Sequence, residues 1–171
     1  SLVKVDVNGR LVEDVALDVN PAAFVIHGAI HQARPEIECV LHTHTRAGVA
    51  VSAQAQGLLP ISQHAFKVFD RLAYHDFEGI ALDMEEQKRL VDDIGSKDVL
   101  ILRNHGLLTM GRSVREAFEL MYYLERACEI QIAALAGKSE VTIPSSSVCE
   151  RTCGQFANDS SYVKGRDWQA L

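Results

Sequence analysis

Short apolar runs and amphipathic stretches alternate along the chain, separated by Gly, Pro, Asn and Ser. Short apolar runs such as 37–41 and 98–102 are typical of buried strands, whereas longer runs of helical period that follow a capping residue are typical of helices. The pattern predicts helices at 20–34, 45–55, 83–94, 113–136 and 145–156, and strands at 37–43, 72–74, 80–82, 98–103 and 107–110.

The first residues carry a hairpin signal. Asn8-Gly9 lies between the apolar stretches 2–7 and 10–12, and this dipeptide suits the two positive-φ positions of a type I′ turn. We therefore expect the chain to begin inside a sheet. Because it opens on Ser1 without a leader, we also expect that residues which precede this hairpin are missing.

Three histidines follow two of the predicted strands. His42 and His44 are two residues apart at the end of strand 37–43, so the strand period directs both imidazoles to the same face. His105 follows strand 98–103, and we expect Gly106 to supply a positive-φ turn that leaves this ring at the strand end. If the two strands share a sheet, the three rings can meet.

Three imidazoles predict a metal site. Neutral imidazole is a borderline-soft ligand that suits Zn²⁺ first and other divalent transition metals next. Three protein ligands leave one position open, which distinguishes a catalytic zinc site from a closed structural one. The alternative is that His42, His44 and His105 are ordinary histidines whose hydrogen bonds are satisfied within the core.

Composition narrows the class of protein. The 171 residues suit one domain, 1–171, with a loose polar tail at 158–171. A net charge of -6 argues against a nucleic-acid or anionic membrane surface, so we expect small molecules or other proteins as partners. The chain has no apolar run of about 18 residues, and we expect a cytoplasmic protein. Its four cysteines suggest no disulfide framework.

Longer phrases around these histidines resemble the class II aldolase/adducin family. The phrases are ARPEIECVLHTHTRAGVAVSA, LLPIS, AYHDFEGIALD and VLILRNHGLLTMG, and the resemblance covers about residues 3–136. The residues of the segments NPAAFVIHGAI and AYHDFEGI resemble the adducin-like branch of the family more than the sugar-phosphate aldolases. The resemblance implies a three-layer α/β/α fold with a central mixed, largely antiparallel sheet. It also implies a homo-oligomer, a dimer or tetramer, with sites at subunit interfaces.

The resemblance also assigns roles to single residues. In the aldolases a divalent metal, usually zinc, is bound by three histidines that match His42, His44 and His105. The ion holds the carbonyl and hydroxyl oxygens of the substrate, the Lewis-acid role of an open site. The neighbouring residues would orient these ligands rather than bind the ion; they are His27, Asn104 and Gly106.

This chain departs from the aldolase pattern at the acid/base. The aldolases have a Glu four residues before the histidine that matches His27, and this position is Ala23 here. The upstream phosphate-binding segment of the family also has no counterpart, so we expect the N-terminal part of the family domain to be missing. Asp76 is the best substitute base, and His64 lies near the position of a catalytic tyrosine. The other carboxylates considered are Glu36, Glu38 and Glu78.

Two functions remain open on these grounds. The first is a zinc-dependent aldehyde-lyase or isomerase that acts on a small hydroxy-carbonyl or sugar-phosphate-like substrate, which the intact triad favours. The second is a catalytically silent assembly domain like the head of adducin, with cytoskeletal or other protein partners, which Ala23 favours.

Overall fold

The computed structural model describes residues 2–6, 8–13, 19–79, 84–137, 140–158 and 168–169. Its helices and strands follow the predicted order, with α3 and a 3₁₀ turn at Phe69–Arg71 that the sequence pattern did not predict. The elements are α1 (Pro21–Ala33), β1 (Cys39–Thr43), α2 (Arg46–Ser52), α3 (Gln63–Phe66), β2 (Leu72–His75), α4 (Met84–Ile94), β3 (Val99–Leu102), β4 (Gly106–Gly111), α5 (Val114–Leu135) and α6 (Ser146–Asn158).

The four strands form one sheet in the order β1-β4-β3-β2. β4 pairs antiparallel with both β1 and β3, and β2 adds to β3 in parallel. The sheet is therefore mixed and largely antiparallel, as the resemblance implied. The register places His42 opposite Leu108 and Leu102 opposite Gly106, which brings the end of β1 beside the turn between β3 and β4.

Alternate residues of β3 and β4 face two separate cores, which explains why both strands are buried along their whole length. On one face Leu100 and Leu108 pack with α1 and α4, including Ile30 and Leu90. Residues from α2, α5 and the inner strands fill the other face; they are Val51, Ile101, Leu107 and Leu124. The result is a three-layer α/β/α arrangement, because each face of the sheet can bury an apolar helix surface.

Polar side chains at the predicted positions cap two helices. Asn20 Oδ1 accepts a hydrogen bond from Ala22 N at 3.1 Å ahead of Pro21, and Ser113 Oγ accepts from Glu116 N at 3.2 Å. These side chains satisfy amide groups that lack a partner at helix starts. The predicted starts of α1 and α5 are therefore confirmed.

The prediction for the first residues was wrong in two respects: they do not belong to the sheet, and their turn is not type I′. Val5 and Leu11 form an isolated bridge outside the four-stranded sheet, and Gly9 has a positive φ of 77° whereas Asn8 does not. The Asp6 carboxylate accepts hydrogen bonds from the amides of Asn8 and Arg10, which holds Asn8 away from the type I′ conformation. The predicted strand 80–82 and most of the predicted tail, 159–167 and 170–171, lie outside the described residues.

Two further features, the helices and the cysteines, bear on the class of protein. Within the described part of the chain, no helix is long and apolar enough to cross a membrane. All four cysteines are free thiols. Burial raises the pKa of Cys128 on α5 to about 12, so this thiol packs as a small apolar group.

Candidate metal centre

Three imidazole rings converge at one edge of the sheet. His42 Nε2 lies 2.7 Å from His44 Nε2 and 3.3 Å from His105 Nε2. The ring centroids are 4.5 to 4.8 Å apart. Within the described ranges, this is the one group of three His, Cys, Asp or Glu residues whose ligand atoms all lie within 4.8 Å of one another. The two segments that contain these histidines, 42–44 and 104–106, predicted this arrangement.

The turn between β3 and β4 places His105, although not through the residue we expected. Asn104, with φ of 55°, is the residue in the left-handed region, and Gly106 has no positive φ. Asn is one of the few residues that adopt this conformation readily. The expectation that Gly106 supplies the turn was therefore wrong, and Asn104 supplies it.

Gly106 is required for a different reason, which is close approach of the chain. A Cβ at this position would lie 2.3 Å from the carbonyl oxygen of Thr43, 3.0 Å from the His44 ring and 3.3 Å from the His42 ring. The absence of a side chain at Gly106 therefore lets β4 lie close to the rings of His42 and His44. Any side chain here would displace the end of β1.

Hydrogen bonding directs the free ring nitrogen of His42 towards the other two imidazoles. Its Nδ1–H donates to the carbonyl oxygen of Leu107 at 2.8 Å, so the lone pair of the neutral ring lies on Nε2, which faces the other two imidazoles. In this tautomer, His44 Nε2–H donates to His42 Nε2 when the site holds no ion.

Burial favours the neutral rings of His42 and His105. Burial, with a contribution from nearby His44, lowers the pKa of His42. Burial and the neighbouring His42 and His44 lower the pKa of His105 to about 4. Adjacent imidazoles that stay neutral near pH 7 retain the lone pairs that a cation needs.

The donor set fits a tetrahedral divalent metal. Zinc–nitrogen bonds of about 2.0–2.1 Å at tetrahedral angles separate two ligand nitrogens by about 3.3–3.4 Å. The distance between His42 Nε2 and His105 Nε2 matches this value, and the shorter distance to His44 Nε2 is that of an N–H···N hydrogen bond. Three imidazoles in this geometry can hold a divalent ion and leave its fourth position open.

Glu125 supports this centre, and the sequence interpretation missed it. Its carboxylate accepts hydrogen bonds from Thr43 Oγ1 at 2.7 Å and Thr45 Oγ1 at 2.6 Å, the two residues on either side of His44. The available sequence signal was an acidic residue within the apolar pattern of α5, one residue after Leu124 and four after Met121. Its partners lie 80 and 82 residues away, so no local pattern could name them.

His27 lies on α1 behind the triad, where the resemblance placed a supporting residue. It is half-buried, and burial together with His42 and His31 lowers its pKa. His27, His31 and Ala23 line an apolar cavity of about 380 Å³. Ala23 therefore presents a methyl group to this cavity.

The two predicted acid/base residues occupy different surroundings. Asp76 is exposed after β2 and lines a small cavity together with His105. His64 lies on α3 with its ring centroid 6.0 Å from that of Tyr123, and it does not belong to the imidazole cluster. The structure thus brings Asp76 to the same cavity as a predicted ligand and places His64 beside α5.

Comparison with known proteins identifies the family of this chain. The family described as Class II Aldolase and Adducin N-terminal domain matches residues 1–132. A Pseudomonas aeruginosa protein, provisionally named as an aldolase class 2 protein, is 52% identical over 141 residues, which are 82% of this chain and 54% of that protein. Mouse alpha-adducin is 50% identical over 139 residues, 80% of this chain and 19% of adducin.

A solved structure shares the fold. L-fuculose 1-phosphate aldolase from Glaciozyma antarctica superposes with a TM-score of 0.76 at 26% identity, covering 90% of this chain and 59% of that chain. The chain spans about half the length of the Pseudomonas aeruginosa relative and about a fifth of mouse alpha-adducin. The family match over 132 residues and these identities lead to one conclusion: the chain belongs to the class II aldolase and adducin N-terminal domain family.

Proposed function

We propose that this domain binds one divalent transition-metal ion, zinc by preference, through His42, His44 and His105, and that it acts as an aldehyde-lyase or isomerase. The proposal rests on one observation: three imidazole nitrogens face a common point, with His42 locked in the tautomer that directs its lone pair there. Imidazoles in close contact have little structural purpose without a shared ligand.

The chemistry follows from the open coordination position. A bound ion would act as a Lewis acid towards a carbonyl oxygen, which favours proton removal or carbon–carbon cleavage next to that carbonyl. The lowered pKa values of His42 and His105 favour their neutral rings, and Leu107 and the pairing of β1 with β4 hold His42 in place. We therefore propose a small hydroxy-carbonyl compound as substrate. The likeness to an L-fuculose 1-phosphate aldolase supports this class.

The chain must supply a proton acceptor other than residue 23, because the methyl group of Ala23 cannot carry a proton. We propose Asp76 for this role, since it lines the same small cavity as His105. A general base has to reach the proton it removes, directly or through one water, and Asp76 is the exposed carboxylate beside a ligand. His64 remains the second candidate.

A silent assembly domain is the second candidate function. It is favoured by Ala23 and by 50% identity to mouse alpha-adducin over 139 residues. In this case the domain would form cytoplasmic homo-oligomers that present other segments to protein partners. Metal binding without turnover, together with self-association, would favour this function over the lyase.

Metal analysis of the purified chain tests the first step. We expect about one divalent ion per chain, and we expect His44→Ala to abolish retention of the ion. The matched control is His31→Ala, since His31 lies outside the cluster. Its described hydrogen bond runs from the ring Nδ1–H to the carbonyl oxygen of Ile37 at 3.1 Å. A wild-type preparation that stays metal-free after incubation with zinc would refute the proposal.

Turnover tests the second step. Wild type and His44→Ala are compared on a panel of short hydroxy acids and sugar phosphates, in the cleavage direction. Activity that depends on His44 and disappears in Asp76→Asn would support the lyase and its base. Activity that survives His44→Ala would exclude the triad as its source.

A further inference from the structure

Glu125 binds both residues that flank the most exposed of the three histidines. One carboxylate oxygen accepts from Thr43 Oγ1 at 2.7 Å and the other accepts from Thr45 Oγ1 at 2.6 Å. Both hydroxyl hydrogens are thus directed at the same carboxylate. Hydroxyl–carboxylate hydrogen bonds of this length are among the stronger ones in proteins.

His44 needs this support more than His42. It is exposed and lies one residue beyond the end of β1, whereas His42 lies within the strand and is paired opposite Leu108. Thr45 is also the N-cap of α2, where its Oγ1 accepts from Gly48 N at 3.1 Å. The segment 43–45 is therefore a short link between β1 and α2 whose side chains converge on Glu125.

Glu125 lies on a helix that packs against the core. It belongs to α5, a helix of 22 residues whose buried side includes Met121 and Leu124. Thr43 Oγ1 also lies 3.5 Å from the sulfur of Met121, so the hydroxyl contacts the same face of α5 twice. A carboxylate on a packed helix can fix a flexible segment, because its own position is already determined by core packing.

We propose that Glu125 is a positioning residue that holds His44 in the geometry for metal binding by clamping Thr43 and Thr45. The inference rests on the proposed metal site. The carboxylate also carries its negative charge against the two residues next to His44, where it favours a bound cation. Groups that orient metal ligands typically contribute a factor of about 10–100 in metal affinity.

The test compares Glu125→Ala with Glu129→Ala in the full chain. Glu129 is exposed on the same helix four residues later and pairs with Arg126 Nη2 at 2.8 Å, so its loss serves as a matched control. We expect Glu125→Ala to weaken Zn²⁺ binding about 10- to 100-fold in chelator competition, with Glu129→Ala within twofold of wild type. The visible spectrum of the Co²⁺-loaded protein should lose intensity in Glu125→Ala alone, as a solvent ligand replaces one imidazole.

A second pair of variants tests the route of the effect. Thr43→Ser keeps the hydroxyl and should bind Zn²⁺ like wild type, whereas Thr43→Val removes it and should weaken binding. Because Glu125 acts through the threonines, the combined loss in Thr43→Val with Glu125→Ala should be smaller than the product of the two single losses.

The outcomes separate this inference from the metal site itself. If wild type binds no zinc, both proposals are refuted. If wild type binds zinc and Glu125→Ala matches Glu129→Ala, the positioning role alone is overturned. If Glu125→Ala does not fold, the Thr43 pair decides, and equal affinities of Thr43→Val and Thr43→Ser overturn the role.

Discussion

Gly106→Ala introduces one methyl group at a point where two backbone segments lie in close contact. The added Cβ would lie 2.3 Å from the carbonyl oxygen of Thr43, on the neighbouring strand. Carbon–oxygen contacts of this kind need about 3.3 Å, so the paired backbone has to separate by about 1 Å. The added Cβ is fixed to the backbone of residue 106, and the oxygen belongs to the backbone of Thr43. No flexible side chain can therefore absorb the displacement.

The cost can be estimated from overpacking in rigid cores. Insertion of a methyl group into a packed site typically costs about 1–3 kcal/mol, and the lower entropy of the unfolded Ala chain returns about 0.4–1 kcal/mol. Because the clash is with backbone, we expect a cost near the upper end of this range, so that Gly106→Ala lowers the free energy of unfolding by about 2 kcal/mol. For a chain of this length that corresponds to a decrease in Tm of about 4–8 °C. Zinc affinity should fall too, because the new Cβ also contacts the rings of His42 and His44.

The same substitution at Gly154 is the matched control. Gly154 lies inside α6, and a Cβ there meets nothing within 4 Å. Alanine is favoured over glycine in a helix by about 0.5–1 kcal/mol, so Gly154→Ala should stabilise the protein. Urea unfolding of the metal-free variants measures both effects. Equal stability of Gly106→Ala and wild type, beside a stabilised Gly154→Ala, would refute the close-approach argument.

Two further predictions concern acid stability and a buried amide. The pKa of His105 is about 4 in the folded state and 6.5 as its ordinary value, so between these limits the unfolded state binds a proton that the folded state does not. The metal-free protein should therefore lose stability as the pH falls from 7 to 5. We expect a loss of about 1 kcal/mol in the free energy of unfolding, after allowance for solvent screening of this half-buried ring, and urea unfolding measures it. Gln131→Leu should cost about 2–4 kcal/mol in thermal unfolding. The buried amide accepts from Leu59 N at 2.7 Å and donates to Gly57 O at 2.8 Å, and leucine leaves both groups unsatisfied.

Each of these predictions has its own control. His105→Gln should reduce the loss of stability between pH 7 and pH 5, and an unchanged dependence would show that other groups cause it. Gln155→Leu replaces an exposed amide on α6 and should change stability by less than about 0.5 kcal/mol. If Gln131→Leu has an equally small effect, the buried amide network does not stabilise the protein.

Local pattern was enough to predict the elements that carry the three clustered histidines. The strand period placed His42 and His44 on one face, and the apolar run 98–102 placed His105 after a second strand. Asn20 and Ser113 marked two helix starts correctly. These predictions succeeded because a cap or a strand period depends on atoms within a few residues along the chain.

The segment between α2 and α4 was predicted less well. Strand β2 was recognised, but α3 and the 3₁₀ turn at Phe69–Arg71 were not. Each covers only three or four residues, too few to show a helical period. Contacts with distant elements stabilise these short pieces; for example, Phe66 packs against Cys149 and Cys153 of α6.

The sequence by itself determined the order of the longer elements, the identity of the three imidazoles and the absence of a carboxylate at Ala23. Tertiary structure decided which backbone position takes the left-handed turn, why Gly106 cannot carry a side chain, and which acidic residue clamps the threonines beside His44. The reason is physical. Capping and periodicity act between near neighbours in the chain, whereas the contact of Gly106 with Thr43 and that of Glu125 with Thr45 exist only after β1, β4 and α5 have packed together.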